Sequence, residues 1–185
     1  MMADNSKVFI VSDTHFNHKN ILKYEAEKRP FHDINEMNEV LIKNWNSVVG
    51  ENDIVWHLGD VGMGSPDNLK QFVSRLNGRK FLIMGNHDRK YSPQRFLNIG
   101  FEFVSTSSRL VDKKYILSHE PKLVSKPYFN IHGHIHSNSL NLNDVKQKEE
   151  LKDFDFSRCF NACVEVNNLK PILFDNIKKY FNDME

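Results

Sequence analysis

Short apolar runs that stop abruptly at an aspartate, asparagine or histidine are the feature that most restricts how this chain can fold. Lys7 to Ser12 runs into Asp13-Thr14-His15, Asp53 to Leu58 into Gly59-Asp60, and Lys80 to Met84 into Gly85-Asn86-His87-Asp88. Tyr115 to Ser118 is followed by His119, and Tyr128 to Ile131 by His132-Gly133-His134-Ile135-His136. Runs of this length and composition are strand candidates, as is Phe160 to Val166. In an open sheet such strand ends gather ligand groups, because loops can aim side chains at one point while the scaffold stays rigid.

Helical patterns alternate with these runs, which predicts a layered α/β or α+β domain. Met37, Val40, Leu41, Trp45 and Val48 recur at helical spacing, and Asp33 with Glu36 three residues later reads as a capping box. A second helix is expected after Ser65-Pro66, with Leu69, Phe72, Val73 and Leu76 on one face and Gly78 as its stop. The one long polar stretch, Ser137 to Ser157, reads as a surface excursion.

The 185 residues suit a single domain spanning 1–185. With 25 Lys and Arg against 24 Asp and Glu, no global field would hold long nucleic acid or an acidic membrane. Cys159 and Cys163 lie in one short run, on one face of the expected strand and too far apart to bridge. That usage, with no leader-like segment and no membrane-length apolar run, predicts a soluble cytoplasmic protein.

Imidazole, carboxylate and amide oxygen together suit borderline or hard divalent metals, and the lack of cysteine at these positions argues against a structural zinc site. A catalytic metal centre is the expectation. Taken singly, each residue has a plainer reading: an aspartate after a strand commonly caps a helix or makes an Asx-turn. Three histidines within five residues at the end of an apolar strand are harder to explain by packing.

Asp13-x-His15, Gly59-Asp60, Gly85-Asn86-His87-Asp88, His119 and Gly133-His134-x-His136, in that order over most of the chain, resemble the calcineurin-like metallophosphoesterases, and the stretches His15 to Phe31 and Glu36 to Asp60 resemble a small subgroup from bacteria and their phages. The resemblance implies a four-layered α/β/β/α sandwich with two mixed sheets and a dinuclear centre. Asp13, His15 and His136 would hold one ion, Asn86, His119 and His134 the other, with Asp60 bridging. Manganese is the first choice, with iron, nickel or zinc as alternatives. Two ions about 3.5–4 Å apart would generate a hydroxide nucleophile and clamp an in-line displacement at phosphorus. His87 would protonate the leaving oxygen, and Asp88 would orient it.

Less specific signals surround this set. His18, Asn20 and Arg29 follow the first motif, where they could touch the substrate, since arginine matches phosphate geometry. Tyr24 and Phe31 are candidates for stacking on a base, although packing explains them as well. His57 and His132 read as buried structural histidines. Val61-Gly62-Met63-Gly64 after Asp60 lacks the arginine that protein phosphatases of the superfamily carry there. A small phosphoester is therefore the expected partner, with neither membrane nor long nucleic acid and the oligomeric state open. The expected activity is a phosphodiesterase on a nucleotide-like or cyclic nucleotide substrate; the alternatives are a phosphomonoesterase and a non-catalytic scaffold.

Overall fold

A computed structural model describes residues 6–138 and 156–184. The Ser137 to Ser157 stretch lies for the most part outside them. The elements run β1 (Val8–Val11), α1 (Ile21–Tyr24), α2 (Ile34–Asn46), β2 (Ile54–His57), α3 (Pro66–Val73), β3 (Arg79–Ile83), α4 (Pro93–Leu97) and β4 (Phe101–Ser105). Then follow β5 (Arg109–Val111), β6 (Tyr115–Leu117), β7 (Phe129–His132), β8 (Cys159–Asn161), β9 (Ile172–Leu173) and α5 (Phe174–Asn182). No helix among these residues is long and apolar enough to cross a membrane.

Two mixed sheets result, in the orders β4-β3-β2-β1-β9 and β5-β6-β7-β8. In the first, β1 to β4 are parallel and β9 is antiparallel; in the second, β5 is antiparallel and the rest are parallel. This is the expected α/β sandwich with two mixed sheets. Strand periodicity divides the core. Phe9, Val11, Val55 and Leu82 face Met37, Leu41, Trp45, Leu69 and Phe72 of the helical layer. Ile10, Leu58 and Ile83 face Leu117, Phe129 and Ile131 of the second sheet, where Phe174, Ile177 and Phe181 of α5 complete the cluster.

Local chemistry accounts for the helices. The Asp33 carboxylate accepts from the Asn35 and Glu36 amides at 2.7 and 2.9 Å, and Glu36 reaches back to the amide of His32 at 2.6 Å, one residue earlier than a strict capping box. Ser65 caps α3 by accepting from the Asn68 amide. Both helices end sooner than the apolar spacing implies, leaving Val48 and Leu76 in the turns that follow.

The expected strand from Phe160 to Val166 is corrected. It is a strand only from Cys159 to Asn161, with Cys163 in an isolated bridge, and Val164–Val166 is a 3-10 turn. Asn161 turns the chain by accepting from the Cys163 amide at 2.9 Å, so the two cysteines do not share a strand face, and they form no disulfide. Strands β4, β5 and β9 were not among the six expected.

His57, at the end of β2, is 1% exposed. The Gly59 amide donates to its Nδ1 at 3.2 Å, so Nε2 carries the proton and meets Thr14 Oγ1 at 2.9 Å. The Thr14 hydroxyl in turn donates to the Val61 carbonyl. Burial pushes the His57 pKa down to about 3. The unfolded chain therefore binds a proton here that the folded one refuses, and the stability contributed at neutral pH is lost as pH falls below about 6.5. In thermal melts of the apo-protein between pH 7 and 4, we expect His57→Gln to flatten the acid-side loss by about one proton's worth. An unchanged slope would show that His57 is protonated in the folded state.

Candidate metal centre

Parallel pairing sends the C-terminal ends of β1, β2 and β3 to one edge of the first sheet, and those of β6, β7 and β8 to one edge of the second. The edges are joined there: Ser12 bridges to Cys163, and its amide donates to the Ala162 carbonyl at 2.9 Å. Asp13, His15 and Phe16 donate in register to the carbonyls of Gly59, Asp60 and Val61. The loops after β1 and β2 are therefore held side by side.

The backbone at Asp13-Thr14-His15 is not extended. Asp13, His15, Asp60, His134 and His136 all hold left-handed backbone, with φ of 58, 49, 57, 73 and 52°. Each costs roughly 1 kcal/mol or more for a residue with a Cβ. Strain concentrated on five of the expected ligands is itself a sign of a functional site.

Around Asp13 the donor atoms of His15 and His136 lie close enough to share one ion. Asp13 Oδ2 accepts from the His134 amide at 2.9 Å and from Cys163 Sγ at 3.3 Å. Its Oδ1 is buried with no hydrogen-bond partner, as are both ring nitrogens of His15. Oδ1 lies 3.6 Å from His15 Nε2 and 3.8 Å from His136 Nε2. Burial works against the Asp13 charge, yet the imidazoles of His15, His119 and His136 hold its carboxyl well below the usual carboxylate range. Burial pushes His15 down to about 4, so its ring is neutral at neutral pH and its lone pair free.

The second group gathers opposite. His119 Nδ1 donates to the Leu58 carbonyl at 2.8 Å, which leaves Nε2 with a lone pair. That lone pair faces Asn86 Oδ1 at 2.8 Å, a contact between two acceptors that a cation between them makes favourable. His134 Nδ1 stands 3.1 and 3.2 Å from the same two atoms. Asp60 lies between the groups, with Oδ2 3.6 Å from both His15 Nε2 and His119 Nε2. Burial outweighs the His119 imidazole and pushes its carboxyl up to about 6. Unpartnered buried donor atoms, facing acceptors and a central carboxylate together fit two divalent ions.

Of the remaining expected site residues, His87 is half-buried, with Nε2 3.9 Å from Asp60 Oδ2. The His18 ring lies tilted, 5.1 Å from the His15 ring and 6.0 Å from that of His87. Asn20 is exposed at the start of α1, with no side-chain cap bond. Two expectations are corrected. Arg29, expected at the phosphate, is 1% exposed, and its guanidinium is taken up by Glu165 and by the carbonyls of Asp13 and Thr14. Asp88, expected to orient His87, accepts instead from the amides of Asp60, Val61 and Gly85. It ties the second and third loops together, and burial, helped by the Asp60 charge, raises its carboxyl to about 7.

Sequence reasoning missed Glu165, whose Oε1 accepts from His136 Nδ1 at 2.9 Å. The signal was a lone carboxylate inside an apolar run. Asn161 is oriented toward the site, its amide donating to the His136 carbonyl at 2.8 Å.

Fold and site together define a two-sheet α/β protein with a candidate metal site. The family model for calcineurin-like phosphoesterases matches residues 6–178, and the chain belongs to that family. It is 36% identical over 176 residues to an uncharacterized protein of Methanocaldococcus jannaschii, covering 94% of this chain and 90% of that one. It is 32% identical over 165 residues to the Gene 66 protein of Mycobacterium phage L5, covering 71% and 78%. The crystal structure of a protein of unknown function from Aquifex aeolicus superposes with a TM-score of 0.69 at 29% identity, covering 95% of this chain and 99% of that one.

The close packing makes a local prediction. A Cβ added at Gly133 would lie 1.9 Å from Ser12 Oγ and 2.3 Å from Asp13 Oδ2, whereas one at Gly50 would meet only the Asp53 carboxylate, at 3.3 Å. We expect Gly133→Ala to cost about 1–3 kcal/mol in thermal unfolding and to weaken Mn²⁺ binding, with Gly50→Ala near wild type in both. Wild-type melting and Mn²⁺ affinity in Gly133→Ala would contradict this geometry.

Proposed function

We propose that this chain is a dinuclear-metal-dependent phosphodiesterase of the cytoplasm, hydrolysing a small nucleotide-like or cyclic nucleotide phosphodiester. The observation that carries the reading is the meeting of two donor groups at Asp60 with His87 on the open side. Asp13, His15 and His136 would hold one ion and Asn86, His119 and His134 the other, with Asp60 shared; manganese is the first candidate, and iron, nickel and zinc suit the same donors. When bound, such ions supply Lewis-acid polarisation of phosphoryl oxygens and lower the pKa of water.

The chain's own residues do the rest. The Asp88 carboxylate and the Asp60 contact to the His87 amide, 2.9 Å, fix the loop that carries His87. His87 Nε2 points toward the centre and gives a proton to the departing ester oxygen as the P–O bond breaks. His18 and Tyr24 continue outward from His15: their rings lie 6.4 Å apart, and Tyr24 is 71% exposed, a surface on which a planar base can stack.

Preference for a diester follows from charge. Arg29 is sequestered below the loops and Arg89 is paired with Glu120 at 3.2 Å, so neither arginine is offered to the phosphate, and Lys90 is the cation near His87. A monoanionic diester asks for less cationic compensation than a dianionic monoester. A phosphomonoesterase is the competing reading, because the same centre serves both reactions.

Hydrolysis of a nitrophenyl diester, its monoester and an alkyl diester by Mn²⁺-loaded protein tests this. Diester turnover should exceed monoester turnover, and Asp60→Asn should abolish both. His87→Ala should slow release of an alkoxide about 10²–10⁴-fold while leaving nitrophenolate release nearly intact. Faster monoester cleavage, or a leaving-group-independent His87→Ala, would overturn the reading.

Burial, reinforced by the nearby Lys90, lowers the His87 pKa below its ordinary 6.5. Its proton-donating form is therefore lost as pH rises through a value under 6.5. The kcat for the alkyl diester should fall on that limb in wild type, and the limb should be missing in His87→Ala. A limb that persists in the variant would assign it to another group.

A further inference from the structure

Arg29 and Glu165, 136 residues apart, meet beneath the ligand loops as a buried ion pair, with exposures of 1% and 6%. Arg29 Nε and Nη2 both donate to Glu165 Oε1, at 2.8 and 2.5 Å. Nη2 also donates to the Asp13 carbonyl at 2.6 Å, and Nη1 to the Thr14 carbonyl at 3.0 Å. The same Oε1 accepts from His136 Nδ1. One guanidinium and one carboxylate oxygen thus tie the loop after β1 to the loop after β7.

Stability alone is a poor explanation for this arrangement. Two charges brought out of water gain little over well-packed apolar residues. Here the carboxylate also concentrates three donors on Oε1 while Oε2 is buried with no partner. The geometry is spent on direction. Donation from His136 Nδ1 fixes that ring's tautomer and orientation and leaves Nε2 as its free donor atom, the one 3.8 Å from Asp13 Oδ1. The bonds to the Asp13 and Thr14 carbonyls hold the two peptides that flank Thr14, between the left-handed residues Asp13 and His15, in place.

We propose that Arg29 and Glu165 are positioning residues that align Asp13, His15 and His136 on a single divalent ion. This rests on the reading of those three side chains as metal ligands. It assigns no direct substrate contact to Arg29.

The test is titration with Mn²⁺, followed by the resonance of the free ion, and with Co²⁺, followed by its visible spectrum. Wild type, Glu165→Gln, Arg29→Lys and the paired Arg29→Met/Glu165→Gln are compared, each checked for fold by circular dichroism and melting. Glu165→Gln should bind one of two Mn²⁺ ions about 10–100-fold more weakly and shift the Co²⁺ bands, with Arg29→Lys, which keeps the charge but not the fork, in between. Should Glu165→Gln fail to fold because a lone charge is left buried, the paired variant, with both charges removed, carries the test and should show the same weakened site.

A folded Glu165→Gln or paired variant that holds both ions within about twofold of wild type, with an unchanged Co²⁺ spectrum, overturns the proposal. So does loss of fold in every variant, which would mark the pair as structural. Wild type that binds no Mn²⁺ removes the metal reading together with the proposal. Wild type that binds Mn²⁺ but hydrolyses no ester overturns the enzymatic reading and leaves this one to be decided by the variants.

Discussion

Everything at the site depends on how two sheets are stitched together at the ends of their parallel strands. The Ser12 amide donates to Ala162 of the second sheet, the Val164 amide returns the bond to Ser12, and Asp13 leans across to the Gly59 carbonyl. Once the loop after β1 is held between the loops after β2 and β8 in this way, side chains from 13, 15, 60 and 86 must face those from 119, 134 and 136. No helix contributes a donor atom. The helices instead fill the far side of the first sheet and complete the inter-sheet core, which keeps the strand ends from moving apart.

Holding so many polar groups together is costly. Five of the donor residues adopt left-handed backbone, Asp60 and Asp88 carry carboxyls that burial pushes up to about 6 and 7, and atoms of Asp13 and His15 have no hydrogen-bond partner. The surroundings over-determine the arrangement. Asp88 collects three amides, His57 and Thr14 form a relay to the Val61 carbonyl, and Gly85 and Gly133 let backbone approach the Asp60 and Asp13 carboxylates more closely than a side chain would permit. Ligation of an ion by these side chains would convert these unfavourable features into ligand bonds.

Much of this was legible in the chain because it is written locally. A strand-forming run followed at once by Asp, Asn or His needs no long-range knowledge, and the caps at Asp33 and Ser65 announce their helices. What escaped depends on partners distant in sequence. Arg29 reads as a phosphate ligand until Glu165, far along the chain, is seen to neutralise it. Asp88 reads as a partner of His87 until the fold delivers the Asp60 and Val61 amides to it. The two-residue β9 has no periodicity of its own, and the run from Phe160 is broken by an asparagine side chain folding back on the Cys163 amide. Each of these is a tertiary contact that overrides a local preference.

The most direct test of the central claim is anomalous diffraction from crystals of the protein grown with Mn²⁺. The account predicts two strong peaks flanking the Asp60 carboxylate, one contacted by Asp13, His15 and His136 and the other by Asn86, His119 and His134. No peak within reach of Asp60, or ions held elsewhere on the surface while these side chains keep their metal-free contacts, would contradict it.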